Sequence, residues 1–198
     1  HNGGKTEQKK TAAESGALLA TRPDALNTGR LILLPFEEAD AEPVFSVMGD
    51  EKLTRGLHLK PHQSAEETAR FIANLMTGGN RGYKLVKKEN AQFAGIAYLM
   101  PDPDAPEKVL LAAALLESCW HQGYLTELIP ALEKAAKEKC GAKSAWAYLP
   151  VENPCARRAF EQAGSALTSA LSLPGAEFRA YTNAASHPHP TPPTSAPV

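Results

Sequence analysis

The chain has 198 residues, 43% hydrophobic and 22% charged, with 21 basic side chains against 22 acidic ones. That length suits one domain with short extensions, and the composition is that of an ordinary globular protein. A net charge of −1 gives no global field to draw the chain to nucleic acid or an anionic membrane, and no apolar run reaches the ~20 residues that span a bilayer.

Neither nucleic acid nor membrane is therefore expected as a partner. Cys119, Cys140 and Cys155 are odd in number and widely spaced, which argues against a disulfide framework or a zinc site. They read as reduced thiols of a cytoplasmic protein.

Residues 1–26 are polar or small without a sustained period and read as a disordered leader lacking the apolar core of a signal peptide. The folded domain is expected over 27–184. Arg30–Leu34 is a short apolar strand stopped by Pro35, and Glu37–Met48 has a helical apolar side. Ser64 with Glu67 three residues on predicts a capping box, opening a helix that ends at Gly78-Gly79. Tyr83–Lys87 and Phe93–Leu99 read as strands around a turn at Lys88–Ala91. Val109–Leu116 is apolar throughout, as in a strand buried on both faces.

A tight turn at Gly123 then leads into a helix with Leu128, Ile129, Leu132, Ala135, Ala136 and Cys140 on one face and Gly141 as C-cap. Ser144–Leu149 is a strand. Pro154 opens a helix running to Ala163 and closed by Gly164, and Ala166–Tyr181 reads as a hairpin around Pro174-Gly175. Residues 185–198 hold prolines too densely for helix or sheet and read as a solvated tail. The order is β-α-α-β-β-β-α-β-α-β-β. No G-x-G-x-x-G, P-loop, G-x-S-x-G or H-E-x-x-H pattern occurs. His58 and His62 are four apart, but Pro61 between them argues against a helical metal pair.

Three segments carry a resemblance. WHQGYLTE, Trp120–Glu127, is similar to the pyrophosphate loop of the GNAT superfamily of N-acetyltransferases in its ribosomal-protein N-terminal acetyltransferase (RimJ/RimL-type) branch. LNTGRLILLPFEEADAE looks like the family opening, with Thr28, Arg30 and Asp40 among its matches. ENPCARRAFEQAG resembles the family's asparagine-initiated helix, through Asn153, Glu161 and Gly164. The resemblance implies the GNAT fold, a mixed, mostly antiparallel sheet of the α/β (α+β) class flanked by helices.

It also implies acetyl transfer from acetyl-CoA to a protein N-terminal or small-molecule amine, by a monomer or homodimer without a metal. Two splayed strands, here Val109–Leu116 and Ser144–Leu149, would take the pantetheine. The backbone of Leu115, Leu116 and Glu117 would bond its amides, and the N–H groups of Gln122, Gly123, Tyr124, Leu125, Thr126 and Glu127 would hold the pyrophosphate. A helix opening from a turn directs unpaired N–H groups and its positive dipole end at one point. Asn153 would contact the cofactor, cap the following helix, or both. Arg157 or Arg158 would reach the phosphates or simply line a solvated face.

Several positions depart from the family pattern. His121 replaces a loop glycine, Leu125 a small residue and Ala156 a serine. Pro130 falls in the early turns of the phosphate-binding helix, which predicts a kink or a late start. Leu110 and Phe160 stand where a base and a phenolic acid are expected. His121 is the one substitute base, against the plainer reading of a surface histidine. The alternatives to an acetyltransferase are a degenerate domain serving as a binding or assembly module, and an enzyme using another acyl-CoA.

Overall fold

The computed structural model describes residues 10–149, 154–163, 165–173 and 176–183. Asn153, Gly164, the Pro174-Gly175 turn, residues 1–9 and the proline-rich tail lie outside the described residues.

The segment expected as a structureless leader is folded over most of its described length. Helix α1, Ala12–Ala20, is closed by a capping box in which the Thr11 hydroxyl accepts from Glu14 N and the Glu14 carboxylate accepts from Thr11 N. Thr11-x-x-Glu14 is the same signature that marks a helix start elsewhere in the chain, and it was readable. α1 docks so closely that a Cβ on Gly16 would fall 1.9 Å from the Lys88 carbonyl oxygen.

The chain continues through β1 (Leu26–Asn27), β2 (Leu31–Pro35), a 3-10 turn at Glu38–Asp40 and α2 (Ala41–Met48). The helix expected from Glu37 thus opens as a 3-10 turn. Asp40 explains it: its carboxylate accepts from Glu37 N at 2.9 Å and takes Lys84 Nζ of the sheet at 2.7 Å. An unforeseen helix, α3 (Glu51–Gly56), follows, capped by the Asp50 side chain on Lys52 N. α4 (Ala65–Leu75) starts where expected, with Ser64 Oγ accepting from Glu67 N. The Glu67 carboxylate reaches Gln63 N instead of closing the box on Ser64.

Next come β3 (Arg81–Lys87), β4 (Phe93–Pro101), β5 (Lys108–Leu115), α5 (Tyr124–Cys140), β6 (Ser144–Leu149), α6 (Pro154–Gln162), β7 (Ser165–Leu173) and β8 (Ala176–Asn183). The eight strands form one mixed sheet in the order β1-β2-β3-β4-β5-β6-β8-β7. Every neighbouring pair is antiparallel except β5 and β6. The GNAT-type fold expected from the sequence is the fold observed.

Side chains of β5 alternate between two layers. Val109 and Leu111 join Leu128, Ile129, Leu132 and Ala136 of α5 on one face. Leu110, Ala112 and Ala114 join Val44, Met48, Leu53 and Ile72 of α2–α4 on the other. Burial on both faces is what a continuous apolar run implies. The predicted late start of α5 does not occur: the helix runs unbroken from Tyr124, with Pro130 inside it. Pro130 lies on the exposed face and supplies no N–H to the carbonyl four residues back. The buried residues on the other face hold the helix to the sheet.

Candidate active site

β5 and β6 pair only from Lys108–Leu110 to Ser144–Trp146. Beyond that they part, although β5 runs on to Leu115 and β6 to Leu149. β5 stays paired with β4 along its other edge through Leu115. The inner edges of Leu111–Leu115 and Ala147–Leu149 therefore border a split, and unpaired strand edges are ready acceptors for a ligand's amides. A cavity of about 910 Å³ passes through this split. On the α5 face its walls are Leu125, Ile129 and Leu132 with Ala156, Ala159 and Phe160 of α6. On the other face they are Leu53, Arg55, Gly56 and Leu57 of α3 and its end, with Tyr148.

Gly123 is the N-cap of α5 with φ +79°, a left-handed conformation that suits glycine. Behind the turn, Arg30 makes a bracket. Its Nη2 donates to the Gln122 carbonyl at 2.8 Å and its Nε to Glu127 Oε2 at 2.9 Å. Its backbone N–H and the Thr28 hydroxyl both donate to Glu127 Oε1, at 2.5 and 2.7 Å. The guanidinium also lies 4.1 Å from the Tyr124 ring centroid, a cation–π contact. Burial pushes the Glu127 carboxyl up, but these hydrogen bonds and the Arg30 charge outweigh it and hold it below the usual range. Thr28 and Arg30, from the chain's opening, thus fasten the turn and first helical turn of a loop some hundred residues on.

The structure separates the predicted contacts. Gln122, Gly123, Tyr124, Leu125 and Thr126 line the cavity, as do Leu115 and Glu117. Glu127 does not: its N–H donates to the Gly123 carbonyl and its carboxylate serves the bracket. Leu116 does not either, and its N–H donates to Ala94 of β4 at 2.9 Å. The Leu115 carbonyl already accepts from Trp120 Nε1 at 2.9 Å. Arg158 lines the cavity, whereas Arg157 turns to Glu161 at 3.2 Å. Leu110 is buried in the α2–α4 layer, and Phe160 is a buried wall without a proton to give.

His121 lines the cavity at φ +59°, a conformation costly for a residue with a Cβ, which accounts for the glycine usual at that position. Its Nδ1 lies 4.0 Å from Cys155 Sγ of α6. That puts it on the loop side of the split. His62 bonds the Thr68 hydroxyl at 2.8 Å rather than pairing with His58. Among the described residues no three His, Cys, Asp or Glu side chains are grouped to hold a metal. No helix there is long and apolar enough to cross a membrane. Sequence reasoning passed over Tyr148 and His58 as a pair. Tyr148 stood in an alternating strand and His58 in a loop, and their ring contact has no sequence signal.

The sequence profile of the family described as acetyltransferase (GNAT) domain matches residues 30–166. No curated protein matches the chain in sequence. Among solved structures, the chain is similar to an acetyltransferase from Agrobacterium tumefaciens at 24% identity, covering 79% of this chain and 93% of that one with a TM-score of 0.64. It is similar to the ribosomal L7/L12 α-N-protein acetyltransferase RimL in complex with coenzyme A, at 16% identity, 79% and 96% coverage and TM-score 0.66. It is also similar to the spermidine N-acetyltransferase from Vibrio cholerae in complex with coenzyme A and spermine, at 13% identity, 76% and 93% coverage and TM-score 0.66. At these identities the likeness is one of fold.

Proposed function

The chain belongs to the GNAT acetyltransferase domain family, and from that premise we propose that it transfers acetyl from acetyl-CoA to a protein N-terminal or small-molecule amine. The observation that carries this reading is the split between β5 and β6, which opens onto the N-terminus of α5 on one face and onto α3 on the other. The pyrophosphate sits against the first-turn N–H groups of Tyr124, Leu125 and Thr126, beside the Gly123 turn, where the helix leaves its donors unpaired. Arg158 supplies a positive charge nearby. The pantetheine runs along Leu111–Leu115 and brings the thioester to the α3 face, where the amine arrives.

The α3 wall also carries charged side chains. Lys52 and Arg55 line it, against Glu117 as the described carboxylate. Lys52 reaches Glu117 at 3.5 Å and Arg55 reaches Glu51 at 3.7 Å. Each of these cations is thus paired with a carboxylate, and the mouth carries no strong field of either sign. The protein N-terminal acceptor is preferred on the RimJ/RimL-type resemblance of Trp120–Glu127. The three cysteines are free thiols, as suits the cytoplasm, and the enzyme works as a monomer or homodimer. Binding without turnover is the second reading, favoured by Leu110 and Phe160, which offer no proton transfer at the expected positions.

The test is thiol release from acetyl-CoA by the purified protein, with acidic peptides and spermidine as acceptors. Release with the peptides above the spermidine rate supports both the reaction and the acceptor class. Acetyl-CoA binding with no release on a broad amine panel supports the second reading.

A further inference from the structure

Tyr148 lies on the parted end of β6, one residue from Ala147 and Leu149, which face α5. Its own ring belongs to the α2–α4 layer and lines the cavity. It is therefore the phenol at the point where the split opens onto the acceptor face. Two rings clamp it. His58 stacks on it at 5.0 Å between centroids and 18° between planes. Trp146, on the same strand, meets it edge-on at 4.8 Å. His58 holds this place from a left-handed backbone at φ 56°, a conformation few non-glycine residues adopt and one that the surroundings must hold in place. Tyr124, the other phenol on the cavity wall, lies under the Arg30 guanidinium at the opposite end.

Resting on the acetyl-transfer reading, we propose that Tyr148 is the catalytic acid that protonates the departing sulfur of coenzyme A, and that His58 is a positioning residue that holds its ring. The amine nitrogen forms a bond to the thioester carbonyl carbon, and the C–S bond breaks with its electron pair on sulfur. The Tyr148 hydroxyl gives its proton to that sulfur. The proton lost by the new amide nitrogen returns, through water, to the tyrosinate. Amine and acetyl-CoA thus become amide and free thiol with nothing left over. Burial raises the Tyr148 hydroxyl above the ordinary range, so it keeps its proton at neutral pH. The groups facing it are His58 after α3, Tyr98 of β4 and Trp146, with Lys52, Arg55 and Glu117 farther along the wall.

The test is steady-state kinetics on the full chain with acetyl-CoA and the best acceptor of the panel. Tyr148→Phe keeps the ring and its stack and removes only the hydroxyl. The expected result is a fall in kcat of about 10²-fold, within the span of acid–base assistance, with acetyl-CoA affinity by calorimetry unchanged within about twofold. His58→Ala should lower kcat less, and His58→Phe, which restores a ring, should recover it. Difluorotyrosine at position 148, whose phenol ionises well below tyrosine's ~10, should bring a falling limb in kcat at mildly alkaline pH. A merely structural ring would not produce that limb. An active parent with Tyr148→Phe at the parental kcat, or a flat difluorotyrosine profile, overturns the proposal and leaves acetyl transfer standing. A parent that transfers to no amine overturns both.

Discussion

The two ends of the cavity are built on different principles. At the α5 end, a backbone turn is fixed by polar ties from far away in sequence: Arg30 and Thr28 hold Gln122 and Glu127 through four hydrogen bonds. At the α3 end, packed rings stand beside aliphatic and charged side chains, with Tyr148 between His58 and Trp146. The first end presents backbone N–H groups, which nearly any side chain supplies provided the turn is held. The second end does its work through particular side chains, and neither Leu110, buried in the layer behind it, nor Phe160, on the α5 face, brings it a proton donor or acceptor. Substitution of loop side chains such as His121 and Leu125 is thus compatible with a phosphate site, while substitution at the other end changes the reaction's proton transfers.

The largest expected effect tests the second end. With Leu110 where the resemblance places a base, kcat/KM should follow the fraction of free amine. For an α-amine with pKa near ~8, the rate should climb about tenfold per pH unit below that value and level above it. A rate already flat from about pH 6 would reveal a protein base, and His121 would be the first residue to replace.

The next test addresses the first end. Gly123→Val places a branched side chain at a left-handed position where its Cβ would also approach Arg30 Nη2 at 3.5 Å. Acetyl-CoA affinity measured by calorimetry should fall by about tenfold or more, while the same change at a site remote from the turn should leave it alone. Equal affinity in the folded variant would remove the turn from the binding site.

Arg30→Ala should weaken the bracket from behind. Glu127 loses its charged Nε donor and the Gln122 carbonyl its Nη2 donor, while the N–H of residue 30 and the Thr28 hydroxyl stay, at a cost of about 1.5–3 kcal/mol in unfolding free energy. Its carboxyl is held below the usual range in the folded protein. Its contribution is therefore complete above the unfolded glutamate pKa and lost as pH falls through the folded value. Denaturant melts across the acid range should show the parent losing stability toward low pH, and Arg30→Ala losing less of it. Parallel curves would show that Glu127 is not linked to folding through Arg30.

The pattern of what was legible follows the same division. Strands, caps and the strand–turn–helix at Gly123 are local, and periodicity, Ser64 and Gly141 announced them. The Arg30–Glu127 tie joins two segments that the sequence marked separately, without saying that they touch. α3 is six residues long, too short for a period to show. α1 was overlooked although Thr11 and Glu14 carried its cap. Pro130 does not delay the start of α5, because the buried residues on the helix's other face hold it to the sheet, and that packing is a tertiary property. The clamp around Tyr148 exists only after β6 and the end of α3 meet.

Pro130 gives the smallest effect and a control on the contrast. Pro130→Ala restores one helical N–H on an exposed face, so stability should rise by about 1–3 kcal/mol. Acetyl-CoA affinity and turnover should not change, because the helix already begins at Tyr124. A gain in affinity would mean that the proline distorts the phosphate-binding turn after all.

The split between β5 and β6 is the proposed acetyl-CoA site, and a crystal structure with coenzyme A bound tests it most directly. The pyrophosphate oxygens should lie within hydrogen-bonding distance of the N–H groups of Tyr124, Leu125 and Thr126, with the pantetheine between Leu111–Leu115 and Ala147–Leu149 and the sulfur on the Tyr148 side. Coenzyme A bound elsewhere, or a β5–β6 split closed and empty at saturating coenzyme A, would contradict it.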